Sequence, residues 1–386
     1  MASPPSTSSS SSFFPFLFLL LLHTAAVARS QSYIGVNYGI VADNLPPPSA
    51  SAKLLQSTSI GKVRLYGSDP AIIKALANTG IGITIGAANG DIPAMAADPG
   101  FAKGWISSNV LPYYPASKII LINVGNEVLQ YGDENTKSQL LPAMQNLQNA
   151  LDGASLGGKI KVSTVHSMTV LGQSEPPSAG SFDPAIGDML KGFLEFNKAT
   201  GSPFMINPYP FFAYQTDPRP ETLAFCLFQP NAGRPDSGTN VKYMSMFDAQ
   251  EVEIVVAETG WAYKGDPTEV GATVENAKAY NGNLIAHLRS MVGTPLMPGK
   301  SIDTYLFALA RGPLATAPTP TMTPPADAPA IGGATTLPTN STVAPPNSTT
   351  PHDSPTAKVN ASKNAARFNK VDLRLVVVFL VMASML

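Results

Sequence analysis

Two glutamates that each end an apolar run are the side chains of this sequence best suited to acid–base or nucleophilic chemistry. The run Ile-Ile-Leu-Ile-Asn-Val-Gly-Asn leads into Glu127, and the run Val-Glu-Ile-Val-Val-Ala leads into Glu258. A buried strand that carries a carboxylate at its C-terminal end is how a parallel α/β barrel builds an active site. Two carboxylates on different strands are what the cleavage of a glycosidic bond needs. A helix cap or a surface position would explain either glutamate alone, but it does not explain a matched pair.

The residues that end or follow the other apolar runs are polar or aromatic. Amides and a guanidinium can bond sugar hydroxyls, and flat rings can cover the apolar faces of pyranose units. The candidate substrate-binding residues are Tyr38, Arg64, Tyr66, Asn89, Asn126, Tyr209 and Trp261. Together with the two glutamates, they predict a carbohydrate-binding cleft.

The elements that must position these residues alternate between two patterns. Apolar runs predict eight strands, at residues 33–38, 62–66, 82–87, 118–124, 159–165, 203–207, 252–257 and 301–309. Such runs indicate burial on both faces of a strand, which is typical of a parallel sheet covered by helices. Apolar residues with helical spacing occur between them, for example at 186–194 and 274–288. We therefore expect an α/β fold, a (β/α)₈ TIM barrel, over residues 31–312.

Two crossovers of this barrel are predicted to be incomplete. Between the sixth and seventh strands the helix-like stretch is confined to residues 240–250, which is short for a parallel connection. After the eighth strand, Arg311-Gly-Pro begins a segment of different composition, so no eighth helix is expected. The predicted barrel therefore has two open seams.

The N-terminus is predicted to be a secretory signal peptide over residues 1–30. A Ser-rich start precedes the apolar run 13–22, and the small residues Ala28 and Ser30 suit cleavage before Gln31. The alternative, a short buried strand or helix, fits poorly because Ser-rich sequence precedes it.

The C-terminal part is predicted to leave the folded body and to carry a lipid. Residues 313–363 are rich in Pro, Thr, Ala and Ser, which is typical of a disordered, O-glycosylated stalk. N-glycosylation sequons occur there at Asn340, Asn347 and Asn360. The apolar end 375–386 is too short to span a bilayer, which takes about 20 residues. Small residues, a polar spacer and this tail make residues 364–386 a glycolipid-anchor (GPI) signal that is removed, with attachment at Asn364, or alternatively at Ser362 or Asn360.

Composition and motifs argue against several other function classes. The net charge is −1 and 13% of the residues are charged, so no nucleic-acid partner is expected. The four histidines are scattered, the Gly-rich stretch 80–86 lacks a phosphate-binding pattern, and Gly-x-Ser-x-Gly is absent, so we expect no metal, no cofactor and no serine-hydrolase elbow. The lone cysteine, Cys226, is expected to be a buried free thiol.

Six short stretches make the chain resemble one enzyme family. They are Ile34-Gly-Val-Asn-Tyr-Gly39, Asn44-Leu-Pro46, Val63-Arg-Leu-Tyr66, Val124-Gly-Asn-Glu-Val128, Asn207-Pro-Tyr-Pro-Phe-Phe212 and Glu258-Thr-Gly-Trp261. The chain resembles the plant family 17 glycoside hydrolases, and within them glucan endo-1,3-β-glucosidases of the glycolipid-anchored type. The resemblance covers most of residues 33–310.

The resemblance implies a retaining hydrolase of callose-type β-1,3-glucan, with Glu127 as acid/base and Glu258 as nucleophile. With the predicted anchor, we expect a monomer on the outer leaflet of the plasma membrane, facing the plant cell wall. Its tissue role is open between defence and the remodelling of plasmodesmata or of the wall. Relatives carry a fuller sixth crossover helix and a final loop and helix after the eighth strand. Because Ala310-Arg-Gly-Pro replaces that loop, a catalytically impaired glucan-binding protein is the alternative, and a cell-surface structural glycoprotein dominated by its stalk is a third reading.

Overall fold

A closed barrel of eight parallel strands forms the body of the molecule. The computed structural model describes residues 33–40, 45–248 and 254–309. Each strand pairs with its neighbours in the chain, and the last strand pairs with the first, which closes the barrel. The strands are β1 Ile34–Tyr38, β2 Lys62–Leu65, β3 Gly82–Ala87, β4 Ile119–Asn126, β5 Lys161–Ser167, β6 Phe204–Asn207, β7 Ile254–Thr259 and β8 Asp303–Leu306. The TIM-barrel prediction is confirmed, with shifts of a few residues at the strand ends.

Helices cover the outside of the barrel between the strands. They are α1 Pro48–Gln56, α2 Pro70–Ala75, α3 Ile92–Ala97, α4 Pro99–Asn109, α5 Val128–Tyr131, α6 Glu134–Gly153, α7 Gly187–Thr200, α8 Pro210–Thr216, α9 Pro220–Cys226 and α10 Val274–Ser290. Several start sites are set by side-chain caps. Asp69, Asp133 and Thr273 accept hydrogen bonds from backbone N–H groups of α2, α6 and α10. The two amphipathic stretches predicted from periodicity lie in α7 and α10.

The interior of the barrel is filled with side chains. One buried cluster inside the strands consists of Leu121, Val165, Met205, Val255, Ala257 and Tyr305. Within the barrel, the Tyr305 hydroxyl is also 3.0 Å from the hydroxyl of Thr84. A much larger cluster lies between the strands and the surrounding helices. Since the interior is packed, a substrate has to bind at an open end of the barrel, where loops follow the strands.

The sixth crossover contains helices, but not where the periodicity placed them. Its two helices, α8 and α9, have seven residues each and precede residue 240. In the predicted stretch 240–250, Lys242–Tyr243 pairs antiparallel with Arg234–Pro235, and Met246–Asp248 is a single 3-10 turn. Tyr243, Met246 and Phe247 are buried there, whereas Met244 is 47% exposed, so a hairpin followed by a turn produces the spacing that resembles a helix. Residues 249–253 and everything after Leu309, including the predicted absence of an eighth helix, lie outside the described residues.

The predicted targeting segments also lie outside the described residues. These are the signal peptide 1–30, the stalk 313–363 with Asn340, Asn347 and Asn360, and the anchor signal 364–386 with Asn364. Within the ranges that the structure describes, no helix is long and apolar enough to cross a bilayer.

The two strands that carry the glutamates share an irregularity near their C-terminal ends. From Asn123 to Asn126, β4 advances three residues while its partner β5 advances two, from Ser163 to Val165. β7 also has one extra residue: it advances three residues from Val256 to Thr259 while β8 advances two, from Thr304 to Leu306. A bulge of this kind bends a strand and redirects the side chains that follow it. Both glutamates are therefore aimed by local distortions and not by regular strand geometry.

Gly125 is the residue that makes the bulge of β4 possible. Its φ is +69°, and a Cβ added there would lie 2.6 Å from Cγ2 of Val128 and 2.9 Å from Oδ1 of Asn89. Only glycine combines that left-handed backbone with the absence of a side chain.

Replacement of Gly125 by Ala is expected to lower the free energy of unfolding by about 1–3 kcal/mol, because the new methyl group meets packed atoms in a disfavoured backbone conformation. Urea unfolding of the full chain would measure the change. Gly104→Ala is the matched control, since Gly104 is exposed inside α4 with nothing within 4 Å of an added Cβ. The control should be stabilised by about 0.5–1 kcal/mol, and equal destabilisation of both variants would contradict the explanation.

Candidate active site

Glu258, at the end of β7, is held by three hydrogen-bond donors. One carboxylate oxygen accepts from Nη1 of Arg64 at 2.7 Å and from the hydroxyl of Tyr66 at 2.6 Å. The other accepts from the hydroxyl of Tyr209 at 2.8 Å. Only 6% of the residue is exposed. Charge-assisted hydrogen bonds of this kind stabilise a carboxylate anion, so Glu258 is built to carry a negative charge.

The two tyrosines that contact Glu258 remain protonated donors. Burial raises the pKa of Tyr66 well above its usual value, and the charge of Glu258 raises it further. Burial and the same charge raise the pKa of Tyr209 in the same direction. Both hydroxyls therefore keep their protons over the ordinary pH range and can donate them to Glu258 as hydrogen bonds.

Glu127 has different surroundings. It follows the bulge of β4 in a left-handed conformation with φ of 53°, and it is only partly buried. Its carboxylate accepts a hydrogen bond from Nδ2 of Asn207, at 2.8 Å. Burial raises the pKa of Glu127, and the negative charge of Glu258 raises it further, whereas the bond from Asn207 and the charge of Arg64 act in the opposite direction. Glu127 is therefore the carboxyl group suited to hold a proton.

Arg64 connects the two strands that carry the glutamates. Besides Glu258, its guanidinium donates to Oδ1 of Asn126 at 2.6 Å, to Oδ1 of Asn123 at 3.3 Å and to the carbonyl oxygen of Ala257 at 3.2 Å. Its side chain is 1% exposed. One buried cation thus bonds β4 and β7 at the same time.

The side-chain amide of Asn89 bonds the backbone of β4 and is not free to bind a sugar. Its Oδ1 accepts from the backbone N–H of Asn126 at 2.8 Å, and its Nδ2 donates to the backbone carbonyl of the same residue at 3.2 Å. The side-chain amide therefore bonds both backbone groups of Asn126 beyond the point where the pairing of β3 with β4 ends, at Ala87 and Val124. Asn89 stabilises the approach to Glu127 from the turn that follows β3.

The structure brings most, but not all, of the predicted site residues together. Arg64, Tyr66, Asn126 and Tyr209 lie around the two glutamates, and Asn89 reaches them through the backbone of Asn126. Asn207 and Asn123 belong to the same network although they were not selected from the sequence. The signal for Asn207 was available, because it ends β6 as Asn126 ends β4.

Tyr38 and Trp261 require a correction, because neither presents its ring to a cleft. Tyr38 is 3% exposed, and its hydroxyl donates to Oγ of Ser51 in α1, since strand alternation directs it towards the helices. Trp261 is fully buried, its Nε1 donates to the carbonyl of Gly271, and its ring packs near that of Phe211. Both residues support the fold around the site and do not contact a sugar in this conformation.

Other reactive side chains are buried and lie apart from the glutamates. Burial lowers the pKa of His166 to about 3, and its ring stacks on Phe204 at 4.8 Å. Cys226 is a buried free thiol, as expected, and burial raises its pKa to about 12. A surface cavity lined in part by Phe228, Asp248 and His287 contains none of the residues that bond to the glutamates. No group of three or more possible metal ligands occurs within the described ranges.

Asn207→Ala is expected to raise the pKa of Glu127, because the deleted hydrogen bond favours the carboxylate form. A ¹³C NMR titration of the glutamate carboxyl groups would measure this shift. Asn146→Ala is the control, since its amide donates to the backbone of α3. An unchanged or lower pKa of Glu127 in the Asn207 variant would show that this hydrogen bond does not control its protonation.

The comparisons with known proteins agree with this geometry. Residues 34–311 match the family model "Glycosyl hydrolases family 17". "Glucan endo-1,3-beta-glucosidase 7" of Arabidopsis thaliana is 68% identical over 308 residues, which are 76% of this chain and 61% of the relative. "Glucan endo-1,3-beta-D-glucosidase" of Olea europaea is 59% identical over 323 residues, 80% of this chain and 69% of the relative. This chain therefore spans somewhat less than two thirds of the length of the Arabidopsis relative.

Two solved plant structures are also similar. CJP38, described as a β-1,3-glucanase and allergen of Cryptomeria japonica pollen, has 40% identity and a TM-score of 0.68, covering 73% of this chain and 92% of its own. A plant β-glucan endohydrolase has 35% identity and a TM-score of 0.65, covering 71% and 90%. With the family match over most of the barrel, these likenesses show that the chain belongs to glycosyl hydrolases family 17.

Proposed function

We propose that this protein is an endo-acting hydrolase of β-1,3-glucan and that it retains the configuration of the anomeric carbon. The observation that carries the proposal is the contrast between the two carboxyl groups. Glu258 receives three hydrogen bonds suited to an anion, whereas burial and the charge of Glu258 favour a proton on Glu127. The names of the similar proteins supply the substrate class, because both curated relatives are called glucan endo-1,3-glucosidases.

The first chemical step uses the two groups in opposite roles. Glu258 attacks the anomeric carbon, and Glu127 gives its proton to the glycosidic oxygen as the bond to that oxygen breaks. The bond electrons leave with the oxygen, and the product is a glycosyl ester of Glu258. Arg64, Tyr66 and Tyr209 orient the attacking carboxylate before this step.

The second step needs Glu127 to act as a base, and the site supplies the reason for the change. Once Glu258 is esterified, it no longer carries the charge that raises the pKa of Glu127. Glu127 can then take a proton from water while the water oxygen attacks the anomeric carbon. Glu258 leaves as a carboxylate and recovers its three donors. Two inversions at one carbon give net retention.

We also propose that the protein is secreted and held at the outer leaflet of the plasma membrane by a glycolipid, where it faces callose-type glucan of the cell wall. The support is the order of segments in the sequence: an N-terminal apolar run, the barrel, a Pro/Thr/Ser-rich stretch and an apolar C-terminus after small residues. On this proposal the stalk is a spacer that lets the enzyme reach wall polymer.

Azide rescue is expected to separate the roles of the glutamates. The substrate is the β-anomer of a β-1,3-glucobiosyl fluoride, whose leaving group needs no proton. Glu258→Gly should not cleave it until azide enters the space left by the side chain. Azide then displaces fluoride directly, which inverts the anomeric carbon and gives the α-glycosyl azide. Glu127→Gly should lose activity on β-1,3-glucan by about 10²–10⁴-fold. With azide and the fluoride it should give the β-glycosyl azide, because azide then attacks the ester of Glu258.

The configuration of each azide can be read by ¹H NMR. The opposite assignment of the two products would exchange the roles of Glu127 and Glu258. Full turnover of β-1,3-glucan by Glu258→Gln would exclude the mechanism. If the unaltered protein binds this glucan tightly and never cleaves it, the chain is instead a catalytically impaired glucan-binding relative.

The anchor has a separate test. A phosphatidylinositol-specific phospholipase is expected to release the protein from intact plant cells into the medium. Val378→Lys places a charge in the apolar C-terminal tail and should prevent attachment of the lipid, so this variant should not be recovered on the membrane at all. A glycolipid anchor would be excluded if the unaltered protein stayed on the membrane after phospholipase treatment and Val378→Lys was also found on the membrane.

A further inference from the structure

Tyr131 lies close in sequence to Glu127, the proposed acid, and has no role in the reaction steps above. Three large aromatic residues of the described ranges are exposed to solvent, and Tyr131 is the most exposed of them: Tyr131 at 57%, Phe212 at 42% and Phe101 at 38%. Phe101 lies on α4, on the outside of the barrel, and Phe212 lies beside Tyr209 with ring centroids 5.6 Å apart. Tyr131 ends α5, the turn that starts directly after Glu127.

The backbone between Glu127 and Tyr131 is fixed by hydrogen bonds. The N–H groups of Gln130 and Tyr131 both donate to the carbonyl oxygen of Glu127 at 3.0 Å, and that of Gly132 donates to the carbonyl oxygen of Val128 at 2.8 Å. A Cβ at position 132 would lie 2.7 Å from this last oxygen, so the turn is closed tightly. The position of Tyr131 relative to Glu127 is therefore set by one short, bonded turn.

The phenol of Tyr131 also lies within electrostatic range of the Glu127 carboxyl group. Partial burial raises the pKa of Tyr131, and the charge of Glu127 adds to this effect. Tyr131 is 57% exposed, so its ring reaches solvent within one helical turn of Glu127.

We propose that Tyr131 forms a subsite for the glucosyl unit on the leaving-group side of the bond that is cut. The inference rests on the proposed function, in which Glu127 protonates the leaving oxygen and must therefore lie next to the leaving sugar. The exposed ring, fixed one turn from Glu127, then offers a flat apolar surface to the C–H face of that sugar. The exposed ring of Phe212 lies instead beside Tyr209, which donates to Glu258.

Two substrates distinguish a subsite from a structural role. A β-1,3-gluco-oligosaccharide places a sugar on the leaving-group side, whereas a β-1,3-glucobiosyl fluoride places only fluoride there. In the full-length protein, Tyr131→Ala should lower kcat/KM for the oligosaccharide about fivefold to tenfold, the loss expected for one well-placed aromatic contact. The same variant should turn over the fluoride at the unaltered rate, because fluoride does not reach the ring.

Two further variants complete the experiment. Tyr131→Phe keeps the ring and should restore most of the activity on the oligosaccharide, and Phe101→Ala should behave like the unaltered protein on both substrates. Equal losses on oligosaccharide and fluoride in Tyr131→Ala would assign the residue a structural role. No loss on the oligosaccharide would exclude the subsite.

Failure of the proposed function gives a different result. If the unaltered protein cleaves neither substrate, the hydrolase proposal is wrong, and the subsite is then tested by binding. Calorimetry with a β-1,3-glucohexaose should show weaker affinity for Tyr131→Ala than for Phe101→Ala. Equal affinities in that measurement would overturn the subsite as well.

Discussion

The buried ion pair between Arg64 and Glu258 is the interaction on which the C-terminal end of the barrel depends. The guanidinium is 1% exposed, and a buried charge that loses its partner costs several kcal/mol. Its other N–H groups bond Asn123, Asn126 and the carbonyl of Ala257, so they tie β4 to β7. The same cation therefore neutralises Glu258 and holds together the two strands that carry the glutamates.

Glu127 and Glu258 carry the same functional group, a carboxyl, but their surroundings differ. Glu258 is buried among a cation and two phenols that stay protonated, and all three donate to it. Glu127 is half-open, with one amide donor from Asn207, and it is subject to the negative charge of Glu258. On the proposed mechanism, the charge on Glu258 favours the proton on Glu127, so esterification of Glu258 would reverse the role of Glu127.

The distortions of β4 and β7 show how a regular barrel is adapted to this purpose. A uniform strand would alternate its side chains between the packed interior and the helix layer, and neither position serves a reaction. An extra residue redirects the glutamate side chain in each case: in β4 it comes just before Glu127, and in β7 it lies in the stretch Val256–Thr259 that contains Glu258. In β4, the bulge depends on Gly125, which lacks a side chain, and the amide of Asn89 bonds both backbone groups of the next residue, Asn126.

The sequence by itself determined the eight strands and the two glutamates at strand ends, because apolar runs and periodicity are local. The alternation of eight strands with helices predicted a barrel. The sequence did not determine the helices of the sixth crossover, where a hairpin imitates helical spacing. Only the tertiary structure decided that Tyr38 and Trp261 are buried and that Asn207 bonds Glu127. Partners such as Arg64 and Glu258 are 194 residues apart in the chain. Their contact exists only once the barrel has closed, and no local pattern encodes its geometry.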